Sequence, residues 1–206
     1  ALLAFLIASA AAHADGLKDL ERFLREVDAG SASFTQVVTM PKREDQARAR
    51  SKTSSGRFDF QRPNRFRFDY TKPFEQTIVA DGQTLWLHDV DLNQVTARKQ
   101  QEVLGSTPAA LIAAGADLKT LEAVFELTAQ PDSEGMSWVE ARPRDREGQL
   151  QRVKVGFRSG QLSVLEIADS LGQVSVLSFS QWRDGAPVAA DRFRFTPPVG
   201  ADVIRP

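Results

Sequence analysis

The sequence predicts a mainly β protein: one large, strongly curved antiparallel sheet, partly or fully rolled, with short helices against its concave side. Three observations lead there. The C-terminal half is a succession of β-patterned segments cut at short intervals by Gly148, Gly160, Gly172 and Gly185, which is a meander. Within it the apolar period slips twice, from Leu162 and Val164 to Leu165 and Ile167, and from Val174 and Val176 to Leu177 and Phe179. Such slips mark bulges, and bulges bend a sheet. Finally, AALIAA carries no charge on any face, and a helix that short and apolar must lie against an apolar surface.

Residues 1–14, ALLAFLIASAAAHA, are apolar or small and too few to span a bilayer. They read as part of a secretory signal peptide, with Ala12-His13-Ala14 as the small-x-small cleavage site and Asp15 opening the mature chain. An exported protein is expected, with residues 15–206 as a single domain. From Asp15 to Ala29, Leu17, Leu20, Leu24 and Val27 recur at helical spacing, with Asp15 as N-cap and Gly30 as stop. Ser31 to Met40 is rich in β-branched residues and reads as the first strand, ended by Pro41.

Lys42 to Ser55 is polar and mostly basic, without apolar periodicity: a mobile loop or the extension of a long hairpin. It either steers the protein toward an acidic partner or only solvates the surface. The next stretch, FDFQRPNRFRFDY (Phe58–Tyr70), places rings on every second residue on both sides of a Pro-Asn turn, with Arg57, Asp59, Arg65, Arg67 and Asp69 between them. A period of two predicts a strand pair with one apolar and one charged face. Arg62 breaks the rule, since it shares the parity of the rings, and a cation there needs solvent or strong acceptors.

Asp81-Gly82 between EQTIVA and QTLWLHD is a hairpin signal, and QVTARK forms a further strand. Thr107-Pro108 then opens the apolar helix, which Gly115 stops. Asp117 caps a second short helix that passes into a strand near Phe125. Strands follow over MSWVEARP, LQRVKVGF, QLSVLEIAD, QVSVLSFSQW and the closing DRFRFTPP.

Catalytic chemistry has little to stand on. Beyond residue 14 the only histidine is His88, and there is no cysteine, which removes disulfides, thiol nucleophiles and His/Cys metal sites. LWLHDVD lacks any nucleophile-elbow context, DVDLNQ lacks the glycine and distal glutamate of a calcium loop, and no phosphate-binding glycine pattern occurs. A formal net charge of -1 gives no reason to expect nucleic acid. Phe outnumbers Tyr 13 to 1, and Phe brings bulk without a polar handle, as a dry surface requires. An exported protein with such an interior and an apolar lid suits a long apolar ligand. Burial is worth about 0.8 kcal/mol per methylene, so one acyl chain gains on the order of 10 kcal/mol in a dry cavity. The same residues would equally build an ordinary closed core, and composition does not separate the two.

The segment GRFDFQRPNRFRFDYTKPFEQTIVADGQTLWLHDVDLNQVTAR, with SASFTQ before it and GSTPAALIA and RFRFTPP after it, resembles the outer-membrane lipoprotein carrier protein (LolA) family of Gram-negative bacteria. The likeness covers essentially all of residues 15–206. It implies an incompletely closed antiparallel β-barrel, a half-barrel, with a lid of short α-helices over a hydrophobic cavity. It also implies a periplasmic monomer without cofactor or catalytic step, which takes lipoproteins by their acyl chains from an inner-membrane ABC transporter complex and passes them to an outer-membrane receptor. A lipid- or lipoprotein-sensing regulatory module on the same half-barrel is the alternative. By motif position, Phe58, Phe60, Phe66, Phe68 and Ile78 are expected in the cavity wall or mouth, and Leu111 and Ile112 on the lid. Arg62 matches the arginine of the family's RPN segment, which implies a latch to lid-helix carbonyls, with partners sought on Pro108 to Gly115. Phe68 stands where some relatives have Trp, and the basic 42–52 segment varies in the family, so its contacts do not transfer.

Overall fold

The computed structural model describes residues 15–42, 48–103, 110–113, 117–185 and 187–206. The expected signal segment 1–14, the cap at Thr107-Pro108 and the stop at Gly115 lie outside them. Helix α1 (Gly16–Glu26) is followed by β1 (Ala29–Met40), β2 (Arg50–Gln61), β3 (Arg65–Lys72), β4 (Gln76–Asp81), β5 (Thr84–Asp89) and β6 (Gln94–Lys99). Short helices α2 (Gln100–Val103), α3 (Ala110–Ala113) and α4 (Leu118–Val124) lead to β7 (Phe125–Ser133), β8 (Met136–Pro143), β9 (Leu150–Arg158), β10 (Gln161–Asp169) and β11 (Val174–Asp184). A 3-10 turn (Ala190–Phe193) and β12 (Asp202–Ile204) close the chain.

All twelve strands form one open, curved sheet in the order β12-β6-β5-β4-β3-β2-β1-β11-β10-β9-β8-β7. Two meanders, β1–β6 and β7–β11, therefore meet where β1 pairs with β11. The meander pattern does not encode this long-range seam. It has a consequence for the lid: β6 and β7 lie at opposite sides of the sheet, so the segment bearing α2–α4 has to cross between them. Helix α1 packs against β7, β8, β9 and β10.

The Phe58–Tyr70 hairpin forms as the period predicts, with Phe58 opposite Phe68, Phe60 opposite Phe66 and Gln61 opposite Arg65. At Gly56 the approach is so close that an added Cβ would run into the Asp69 carbonyl. Asp117 accepts from the Thr120 amide at 2.7 Å, as an N-cap should.

Several expectations need correction. Helix α1 ends at Glu26, and Gly30 belongs to β1, where a Cβ would meet the Phe60 ring at 2.9 Å. Its smallness serves packing rather than capping. Within Lys42–Ser55, part of which lies outside the described residues, β2 begins at Arg50, opposite Met40, so the hairpin-extension alternative holds for residues 50–55. The slip at Leu162–Leu165 is a bulge, because the β9–β10 register shifts between Leu162 and Val164. The slip at Val176–Leu177 is not. There Ser175, Leu177 and Phe179 are all buried on one face in unbroken alternation, while the β1–β11 register shifts further on, opposite Ser31/Ser33, and Gln181 adopts a φ of 55°. DRFRFTPP is a 3-10 turn and an extended strap rather than a strand, because it lies across the outer face of the sheet instead of joining an edge.

The strap explains the charged face of the hairpin. Asp59 is fully buried and receives Arg57 at 3.0 Å, Ser31 at 2.5 Å and Arg192 at 2.5 Å. Arg192 also reaches Asp69 at 2.7 Å, which Arg67 holds at 2.8 Å. Phe195 lies against Trp86 with ring centres 5.5 Å apart. The charged face of the hairpin is thus an ion network built on the buried Asp59 under a C-terminal cover.

Candidate functional site

The concave face is built by alternation. Even-numbered residues of β2 and β3 point inward, which puts Phe58, Phe60, Phe66 and Phe68 on one surface, and all four are buried. Phe58 and Phe68 are 4.5 Å apart between ring centres, and Phe66 meets Phe68 edge-on at 6.1 Å. Ile78, opposite Phe68 on β4, packs against the same cluster but is only partly buried. From the lid, Leu111 and Ile112 enter it with 1% exposure each. All seven residues expected in the wall or lid are therefore brought together in one apolar cluster, and the face is closed by the lid.

Other members were not singled out in the sequence. Phe23 of α1 approaches Phe60 at 6.0 Å, and Phe179 and Trp182 of β11 extend the wall beside Phe58. Phe23 lies three residues from Leu20 and one from Leu24, so helical spacing was available to find it. The β11 pair reaches the wall only through the β1–β11 seam.

Arg62 points inward, with 8% of its surface exposed. Its Nη1 donates to the carbonyls of Phe23 at 3.2 Å, Leu24 at 3.3 Å and Val27. These carbonyls lie at the end of α1, where the last ones lack an intrahelical amide; that of Phe23 also accepts from the Val27 amide at 3.1 Å. The guanidinium also stacks over the Phe23 and Phe60 rings, at 4.9 and 5.5 Å. Burial pulls its pKa down to about 10, and the charge of Asp28 opposes this only in part.

The partners expected on Pro108–Gly115 fall in part outside the described residues; among the described ones, Arg62 meets its acceptors at the C-terminal end of α1. The physical reason is the crossing of the chain, which brings the end of α1 back against the β2–β3 turn, where the Arg62 amide also donates to Asp28 at 2.7 Å. The apolar helix is tied to the same turn by another route, since the Asn64 amide donates to the Ala113 carbonyl at 2.6 Å. Gln100, 3% exposed, then links the Asn64 carbonyl to the Gly82 amide, at 2.5 and 2.9 Å. Nothing in the sequence pattern singled out Gln100. The RPN turn is thus the point to which α1, α3 and the Asp81-Gly82 turn are all fastened.

No group of three or more His, Cys, Asp or Glu side chains placed to hold a metal ion occurs among the described residues. His88 sits on β5 with its ring 5.8 Å from Phe195, outside the concave cluster. No described helix is long and apolar enough to cross a membrane.

Residues 25–196 match the family model described as outer membrane lipoprotein carrier protein LolA. The chain belongs to this family. An outer-membrane lipoprotein carrier protein from Albidiferax ferrireducens is 57% identical over 198 residues, covering 94% of this chain and 92% of the relative. Another from Methylibium petroleiphilum is 54% identical over 203 residues, covering 98% and 96%. Among solved structures, a DUF1329 family protein from Desulfovibrio piger matches with a TM-score of 0.50 at 10% identity, over 86% of this chain and 95% of that one, a likeness of fold alone. Arg62, Leu111 and Ile112 all lie within the matched residues and in contact with the aromatic face.

Proposed function

We propose that this chain is a periplasmic lipoprotein carrier, which receives acyl chains from an inner-membrane ABC transporter and delivers them to an outer-membrane receptor. The observation that carries this reading is the fastening of the lid. An aromatic face is closed by elements tied to one turn through a few hydrogen bonds, not by a continuous backbone ladder.

The magnitudes suit exchange. Leu111 and Ile112 contribute about 1.5–3 kcal/mol each by burial, hence about 3–6 kcal/mol together. The Arg62 contacts add on the order of 1–2 kcal/mol net, once burial of the cation is set against its charge-assisted bonds. One acyl chain gains on the order of 10 kcal/mol, enough to displace both. In this reading Phe58, Phe60, Phe66, Phe68 and Ile78 receive the chains, Leu111 and Ile112 yield, and Arg62 is the latch that favours closure after delivery.

The test is transfer. The purified chain, mixed with a triacylated lipoprotein, should keep it soluble in a one-to-one complex and surrender it to membranes bearing the outer-membrane acceptor. Aggregation of the lipoprotein despite excess carrier would end this reading.

A further inference from the structure

The concave face changes character along a line oblique to the strand register. Asp89 stands opposite Gln76, Gln76 opposite Tyr70, Tyr70 opposite Gly56 and Gly56 opposite Phe34, whereas Gln36 stands between Ser54 and Leu177, and Ser175 opposite Val38. Gln36 Nε2 donates to Ser175 Oγ at 2.6 Å, and the Tyr70 hydroxyl donates to Gln36 Oε1 at 2.9 Å. Two residues deeper on the same strands stand Leu87, Ile78, Phe68, Phe34 and Leu177. Within one pleat repeat, the face therefore passes from apolar side chains to a belt of hydrogen-bonding ones.

The belt is continuous with the wall and open on its other side. The Tyr70 ring packs against Phe34 at 5.0 Å and Phe68 at 6.4 Å, while its hydroxyl belongs to the belt. Burial of that phenol raises its pKa to about 12, so it stays a neutral donor at physiological pH. Five of the six belt residues, all but Ser175, line a hollow of about 580 Å³ that reaches out to Lys52, Phe74 and Leu92.

Gln36 uses one of its two amide hydrogens on Ser175, and neither the other nor the Ser175 hydroxyl hydrogen has an acceptor among the described residues. Ester and amide carbonyls are acceptors. A molecule whose tails lie on the rings would bring such carbonyls to the belt.

We propose that the Tyr70–Gln36–Ser175 belt is a subsite for the ester- and amide-bearing head of an acylated cargo, with the tails on the Phe58–Phe68 wall and the attached polypeptide leaving through the hollow. This rests on the carrier reading and adds an orientation to it: heads toward Gln36, tails toward the RPN turn.

The test compares two probes on the full chain: a synthetic tripalmitoylated cysteinyl peptide, and an alkylpyrene with neither ester nor amide. Gln36→Leu should weaken the lipopeptide on the order of tenfold and leave the alkylpyrene within about twofold, because only the first loses hydrogen bonds. Tyr70→Phe, which keeps the ring packing, should give a smaller loss of about threefold with the same selectivity, and carries the comparison if Gln36→Leu fails to fold. Lipopeptide binding unchanged in both variants, or equal weakening of both probes, would overturn the subsite. Failure of either probe to bind the unaltered chain would overturn the carrier reading itself.

Discussion

Replacing Arg62 with leucine should slow the release of bound lipoprotein about tenfold while leaving uptake intact. Nη1 carries two hydrogens and faces three carbonyls, so at most two full-strength bonds form at once. Charge-assisted bonds are worth about 1.5–3 kcal/mol each, or about 3–6 kcal/mol for two. Burial of the cation, seen in its depressed pKa, takes back several kcal/mol. The net preference for the closed state is on the order of 1–2 kcal/mol, about tenfold in population. Leucine removes the bonds and leaves the carbonyls of Leu24 and Val27 facing an apolar side chain, while that of Phe23 keeps the Val27 amide; in an open state water would satisfy them. Discharge ends in the closed, empty form, so destabilising that form removes drive from release rather than from loading. The assay is transfer of a triacylated lipoprotein from preloaded carrier to acceptor membranes, with the bound fraction of each preparation measured first. Arg62→Lys should fall between, since an ammonium retains charge but loses the planar fork and the stacking on Phe23 and Phe60. Equal release rates for Arg62→Leu and the unaltered chain would refute the latch.

Three further outcomes concern the frame that holds the site. Gly56→Ala should lower stability by about 2 kcal/mol or more in urea, because the new Cβ collides with the backbone of β3 and the β2–β3 pairing has to shift. Asp59→Ala should cost about 1–3 kcal/mol by the same measurement, since it removes the buried anion that the partly exposed Arg57 and Arg192 share. Acid should act on the same place: burial alone would raise the pKa values of Asp59 and Asp69, but bonds from Arg57, Ser31 and Arg192 to the first, and from Arg67 and Arg192 to the second, hold both below the ordinary carboxylate range. A carboxylate depressed in the folded state contributes stability above its unfolded pKa and loses it as pH falls through the folded one. Anchoring of the strap should therefore be complete at neutral pH and decline below about pH 4. The urea midpoint of the unaltered chain should drop more steeply below that pH than that of Asp59→Ala; parallel curves would count against the network.

Much of the site could be read without coordinates. The alternation Phe58, Phe60, Phe66, Phe68 requires those rings to share a face once the segment is a strand pair, because successive side chains of a strand point oppositely. The uncharged Ala109–Ala114 stretch requires an apolar surface, and Leu111 and Ile112 find it in the same cluster. Arg62 was conspicuous because a cation stood in the parity of the rings, and it is indeed buried there.

What local pattern determined was the type of most elements and the face taken by the rings of the Phe58–Tyr70 hairpin, since these follow from spacing along a single segment; the family came from the likeness of whole segments. What only tertiary structure decided was which segments meet. Neither the β1–β11 seam, nor the return of α1 to the RPN turn, nor the cover that Arg192 and Phe195 place over the charged face has a signature in any short window. Each joins residues far apart in the chain, and contacts of that kind are selected by the burial of whole faces against one another, not by the preferences of neighbouring residues. That is why parity could turn the Arg62 side chain inward, while only the packing of α1 supplied the carbonyls it meets.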